Sequence, residues 1–83
     1  MLYGDVWQRP GLSQRYRSLI TVAALVALCR TDQMARHMRR AVDNGLSVDE
    51  LTEAITHLAF YAGWPKAMAA MAVAKRVFRA DSD

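Results

Sequence analysis

The sequence has one cysteine, four glycines, two prolines and few aromatic residues, which make up 8% of its 83 positions. A single cysteine cannot close an internal disulfide, so nothing in the chain asks for an oxidising compartment, and the expected location is cytoplasmic. Scarce aromatics and few β-branched runs leave an alanine-, leucine- and methionine-rich mixture that leans towards helix. The longest apolar stretch, Leu19 to Cys29, is fenced by Arg17 and Arg30. It falls well short of the roughly 20 residues a membrane span takes. It is also too far from Met1, and lacks a cleavage site, to be a signal peptide. There is no Gly-rich phosphate loop, no CxxC, no HExxH and no acidic calcium loop.

What is present is apolar content: 53% hydrophobic residues against 23% charged, with a net charge of +3. A chain of this size forms one core and leaves much of its surface in water. So much apolar content therefore needs a partner surface, and an oligomer is expected. The mild positive charge permits an anionic ligand without demanding one.

The pattern predicts an all-α domain spanning residues 1–83: an extended arm over 1–12, a compact array of about four helices over 13–80, and a frayed tail over 81–83. Gly4, Pro10 and Gly11 mark the arm as irregular. Ser13 is the expected cap of a first helix running to Cys29. Its second half is apolar on every side, so it should be covered all round, with Cys29 as a small buried hydrophobe. Thr31 is the expected cap of the second helix, which stops at Asn44-Gly45 near a left-handed glycine. Ser47-Val48-Asp49-Glu50 spells a capping box. The third helix then carries Leu51, Ala54, Ile55, Leu58 and Ala59 on one face and ends at Gly63. Trp64-Pro65 starts a fourth helix, thin with alanine, reaching about Arg79.

Several side chains on these helices suit chemistry. His37 lies beside Met34 and Ala41, where a histidine is either a proton donor in a half-desolvated pocket or an ordinary boundary residue. Glu53, His57 and Tyr61 follow one another at helical turns. They form a polar stripe that is either a solvated edge or the wall of a cleft, with Glu53 placed to support a protonated His57. Arg36, Arg39 and Arg40 lack interleaved aromatics for base stacking, and read as a solvated face rather than a nucleic-acid site. Arg9, Arg15 and Arg17 suit planar carboxylates, or else acidic residues of a neighbouring helix or subunit.

Taken in order, three strings resemble the carboxymuconolactone decarboxylase family. They are Gly4-Asp5-Val6-Trp7-Gln8-Arg9-Pro10-Gly11-Leu12 with Arg17-Ser18-Leu19; His37, Ala41, Asn44-Gly45 and Glu50-Leu51-x-Glu53; and His57-x-x-x-Tyr61-x-Gly63-x-Pro65-x-Ala67. The resemblance covers nearly the whole chain. It implies an alkylhydroperoxidase D-like fold, assembly into trimers or hexamers, and decarboxylation of 4-carboxymuconolactone to the 3-oxoadipate enol-lactone in aromatic breakdown. No cofactor is implied, because the substrate's unsaturated lactone is its own electron sink. His37 matches the family histidine and is the expected proton donor, with His57, oriented by Glu53, as second choice. Arg17, then Arg9, are the expected carboxylate anchors, and Tyr61, Gly63 and Pro65 the expected pocket wall. The peroxidase branch uses CxxCxxxH. Its two cysteine positions fall here on Arg30 and Gln33, and its upstream glutamate on Ser18, so thiol peroxidase chemistry is not expected. Family members are usually longer, with helical material before the Gly-Asp-Val-Trp segment, so a short or N-terminally truncated member is expected. A non-catalytic oligomer of the same fold that binds small acids, or an accessory subunit, is the alternative.

Overall fold

Helix starts and stops set the architecture. The computed structural model describes residues 6–82, with side chains as far as Arg79. Tyr3, Gly4 and Asp5 of the arm therefore lie outside the described residues. Four helices follow: α1 (Gln14–Ala27), α2 (Thr31–Asp43), α3 (Val48–Ala62) and α4 (Trp64–Ser82). There is no strand among the described residues, so the chain is all-α as the composition predicts.

Ser13 caps α1 by accepting the Tyr16 N–H at 3.1 Å. Ahead of it, residues 8–12 form turns and a bend, while Val6 and Trp7 are helical. This stretch is tied to α1 by side chains: Gln14 donates to the Trp7 carbonyl and the Arg17 guanidinium to the Arg9 carbonyl. Before α3 the capping box forms in full. The Glu50 N–H donates to the Ser47 hydroxyl at 3.0 Å and the Ser47 N–H to the Glu50 carboxylate at 2.9 Å. That second bond, with the nearby Arg15 guanidinium, holds the Glu50 carboxyl below the usual range.

Three boundaries differ from expectation. Helix α1 ends at Ala27, and Cys29 sits beyond it, exposed, with a left-handed φ of 58°. The Arg30 N–H bonds the Leu25 carbonyl and the Cys29 N–H the Val26 carbonyl, the pairing of a Schellman stop. Cysteine thus occupies a slot that favours glycine, and is no buried hydrophobe. Gly45 (φ 107°) fills the equivalent slot after α2, where the sequence predicts it. Thr31 is the first helical residue rather than the cap; Arg30 precedes it with no side-chain cap bond. Arg30 instead pairs with Asp32, whose carboxyl is lowered chiefly by that hydrogen bond. Finally, α4 continues past Arg79 to Ser82.

A left-handed L-residue costs roughly 1–2 kcal/mol, part of which glycine returns as unfolded-state entropy. Cys29→Gly is therefore expected to raise stability by about 0.5–1 kcal/mol. Thermal denaturation checks this; an unchanged or lower midpoint counts against a strained Cys29.

Helix α1 packs against α2 and α3, and α4 against both as well, so α2 and α3 occupy opposite corners of a four-helix array. Val22 and Val26 of α1 meet Met34 and Met38 of α2, Leu51 and Ile55 of α3, and Ala70 and Val77 of α4 in one core. Small side chains at Ala67, Ala70 and Ala74 let α4 lie close against its neighbours, as its alanine content suggests. One buried polar tie crosses the array: the Asn44 amide donates to the Ser18 hydroxyl at 2.9 Å, joining the end of α2 to the start of α1. The result is a slab of 33 × 32 × 20 Å. Its thinness shows on α1, which the sequence predicts to be covered all round. Ile20 remains 56% exposed, and Leu28, just beyond the helix end, 69%. Four helices have enough bulk to cover only one side of α1.

Candidate active site

His37 lies on the inward shoulder of α2, one turn from Met34 and Ala41, and is 8% exposed. The core claims one side of its ring. On the other side opens a cleft of about 430 Å³, lined by His37 with Gln33, Arg36 and Arg40. These positions are i, i+3, i+4 and i+7 of one helix, so regular α-helix geometry alone places them together. Loss of hydration holds the His37 pKa below its ordinary value, and the guanidinium charges of Arg36 and Arg40 push it lower still. The two guanidinium charges that disfavour the proton also favour an anion beside them.

His57 does not join it. Its side chain is exposed on α3, tilted against Tyr61 with ring centroids 4.9 Å apart. It stands at the rim of a separate groove between α1 and α3, of about 470 Å³. Leu19, Ala23, Ala54 and Leu58 make the floor of that groove, and Glu50 and Glu53 share its rim with His57. Glu53 and His57 thus lie on one cleft wall, without a hydrogen bond between them among the described residues. Glu50 is already engaged by the Arg15 guanidinium.

The expected anchors lie elsewhere. Arg17 is half-buried and donates to the Arg9 carbonyl at 3.1 Å, a bond that ties the arm to α1. Neither lines the His37 cleft nor the α1–α3 groove. Tyr61 is exposed, and Gly63 (φ 102°) with Pro65 forms the turn from α3 into α4, where only glycine takes the required conformation without strain. Beside that turn Trp64 stacks edge-on against Phe60 at 5.4 Å, and with Met68 and Met71 borders a smaller pocket of about 200 Å³. The residues the structure does bring to His37, namely Arg36 and Arg40, are exposed, as the solvated-face reading of the sequence expects, and they also line the cleft. Their signal was present: a histidine with arginines at i−1 and i+3 has both on its flank. Among the described residues no group of three His, Cys, Asp or Glu is placed to hold a metal ion.

The model of the carboxymuconolactone decarboxylase family matches residues 1–76. The chain belongs to this family. Among curated relatives of this decarboxylase-family chain, 4-carboxymuconolactone decarboxylase of Acinetobacter baylyi is 48% identical over 77 residues, which is 93% of this chain and 58% of that protein. Nitrosuccinic acid decarboxylase of Metarhizium robertsii is 38% identical over 74 residues, covering 89% of this chain and 52% of its own length. The family chain thus spans little more than half the length of the curated relatives it matches. No helix among its described residues is long and apolar enough to cross a membrane.

Proposed function

We propose that this chain is a cofactor-free carboxy-lyase resembling 4-carboxymuconolactone decarboxylase, acting in the cytoplasm as a homo-oligomer, with a trimer or hexamer as the family resemblance implies. The observation that carries the reading is the desolvated His37 flanked by Arg36 and Arg40. The two relatives support it, since each is named as a decarboxylase.

Guanidinium groups bind carboxylates through paired N–H donors, and two arginines one turn apart suit a substrate with more than one anionic group. Decarboxylation breaks the bond between the ring carbon and its carboxylate. The electron pair moves through the unsaturated lactone to the carbonyl oxygen, and CO₂ leaves. Arg36 and Arg40 stabilise the dienolate charge, and His37 delivers a proton to carbon, recovering one afterwards from solvent. Empty, the site disfavours the protonated form of His37. A bound anion offsets the arginine charges, so the histidine takes up its proton together with the substrate. His57, Glu53 and Tyr61 form a second polar surface, and Arg17 with Arg9 a third basic position near the arm.

The decisive assay is CO₂ release from 4-carboxymuconolactone by the assembled protein; no turnover overturns the reading. An acid-binding protein without turnover is the second reading, and it is favoured by one observation: every described residue lining the His37 cleft comes from a single helix.

A pH prediction arises here. NMR titration of the His37 ring is expected to give a midpoint below the ordinary 6.5. Succinate, a plain dicarboxylate, should raise that midpoint. In consequence kcat/KM falls with rising pH from below that ordinary value, whereas kcat holds to higher pH. The sign for stability follows from the same shift. His37 favours the fold above the ordinary value, and this contribution is lost as pH falls through the depressed folded value. A midpoint that succinate leaves in place counts against anion binding at this helix face.

A further inference from the structure

Among the described residues the His37 cleft has a floor and no facing wall. Gln33, Arg36, His37 and Arg40 all belong to α2. Beside them Arg39 is exposed, and neither Arg36 nor Arg39 has an ion-pair partner among the described residues. At the opposite corner of the array lies the α1–α3 groove, with an apolar floor and an acidic rim. Glu53 on that rim, and Asp49 one turn before it, also lack ion-pair partners among the described residues. Among the described residues, Arg36 and Arg39 on α2 and Glu53 and Asp49 on α3 thus stand without ion-pair partners.

We propose that the α1–α3 groove receives the arginine edge of α2 from a second copy of this chain, so that His57 beside the groove faces the His37 cleft of that second copy and closes it. The argument is charge complementarity combined with shape. Arginine is amphipathic: its stem can lie on Leu19, Ala23, Ala54 and Leu58 while its head reaches Glu53 and Asp49. A neutral apolar groove would accept many helices, but one rimmed with carboxylates selects a basic one. Because the two surfaces differ and sit on opposite corners, the contact is head-to-tail. Such contacts close into rings when the rotation allows. The contact also removes part of the apolar surface that the slab leaves in water, and brings the chain's two histidines to one site, which a single copy keeps apart.

The proposal rests on the decarboxylase reading only for what the His37 cleft binds, and its test reads assembly separately from turnover. Solution mass by light scattering is measured for the wild type, Arg39→Glu, Glu53→Arg, their equimolar mixture, and the R39E/E53R double variant. The wild type is expected at a multiple of the 9.3 kDa chain mass. Each single variant drops to a smaller species, because like charges then meet. The double variant regains the wild-type mass, and the mixture a mass above that of either single variant, since acidic surfaces again meet basic ones. Regain by the double variant also shows that neither substitution prevents folding. A monomeric wild type, single variants of unchanged mass, or a mixture and double variant that stay small each overturn the proposal. Decarboxylation is followed alongside and should fall and recover with the mass. Turnover by a monomer sinks the shared site and leaves the decarboxylase reading intact. Charge-swap rescue without turnover in any sample does the reverse.

Discussion

His37→Gln is expected to lower the decarboxylation rate by roughly 10²–10⁴-fold, the range for losing a positioned proton donor. Glutamine is chosen because it approaches the imidazole in volume and can hydrogen-bond, but cannot deliver a proton at carbon. His37 touches the core on one side, beside Met34 and Ala41. An alanine there would therefore confound lost chemistry with a cavity. The loss should fall on kcat, with KM changing little, because the anion-binding arginines remain. A folded His37→Gln protein with unchanged kcat removes His37 from the chemistry and transfers the role to His57, whose own substitution is the matching control.

Replacing Arg36 and Arg40 together by glutamine should cost at least as much in kcat/KM. A hydrogen bond to a charged group contributes about 1.5–3 kcal/mol, so each arginine accounts for roughly ten- to a hundred-fold. The two act on one substrate and on one another, so their losses need not add. A second signature separates anchoring from mere surface charge. Since both guanidinium groups hold the His37 pKa down, the double variant should raise the ring's midpoint even without ligand. Arg76, exposed on α4 and outside both clefts, provides the comparison for net charge: Arg76→Gln should leave the midpoint close to that of the wild type. A double variant that binds succinate as tightly as the wild type shifts the anchor back to Arg17 and Arg9 near the arm.

The helices were largely legible because they are local. Ser13, the Ser47–Glu50 box, Gly45 and Gly63 act within a few residues of themselves, and the structure shows each in its expected place. The apolar face of α3 likewise reads from spacing: Leu51, Ile55 and Ala59 are buried, while Ala54 and Leu58 turn to the groove. The misread positions are those where one residue type tolerates two fates. Cysteine is apolar enough to continue α1, yet the Schellman stop places Cys29 in solvent. A helix apolar on all sides asks for cover, but the chain has too few helices to supply it, and Ile20 stays exposed.

The sequence by itself determined the fold class, the turn positions, the family likeness and the presence of His37 on a helix face between core and solvent. These follow from periodicity, capping and motif order, which are properties of neighbours along the chain. Only the tertiary structure decided which charges stay away from the His37 cleft. Arg15 and Arg17 differ little from Arg36 and Arg40 as residues, yet Arg15 pairs with Glu50, 35 positions away, and Arg17 with the arm. That leaves the α2 arginines beside His37. It also parts the two histidines, because α2 and α3 sit at opposite corners of the array. Such outcomes depend on how four helices pack, and long-range packing leaves no mark in the spacing of the residues it brings together or keeps apart.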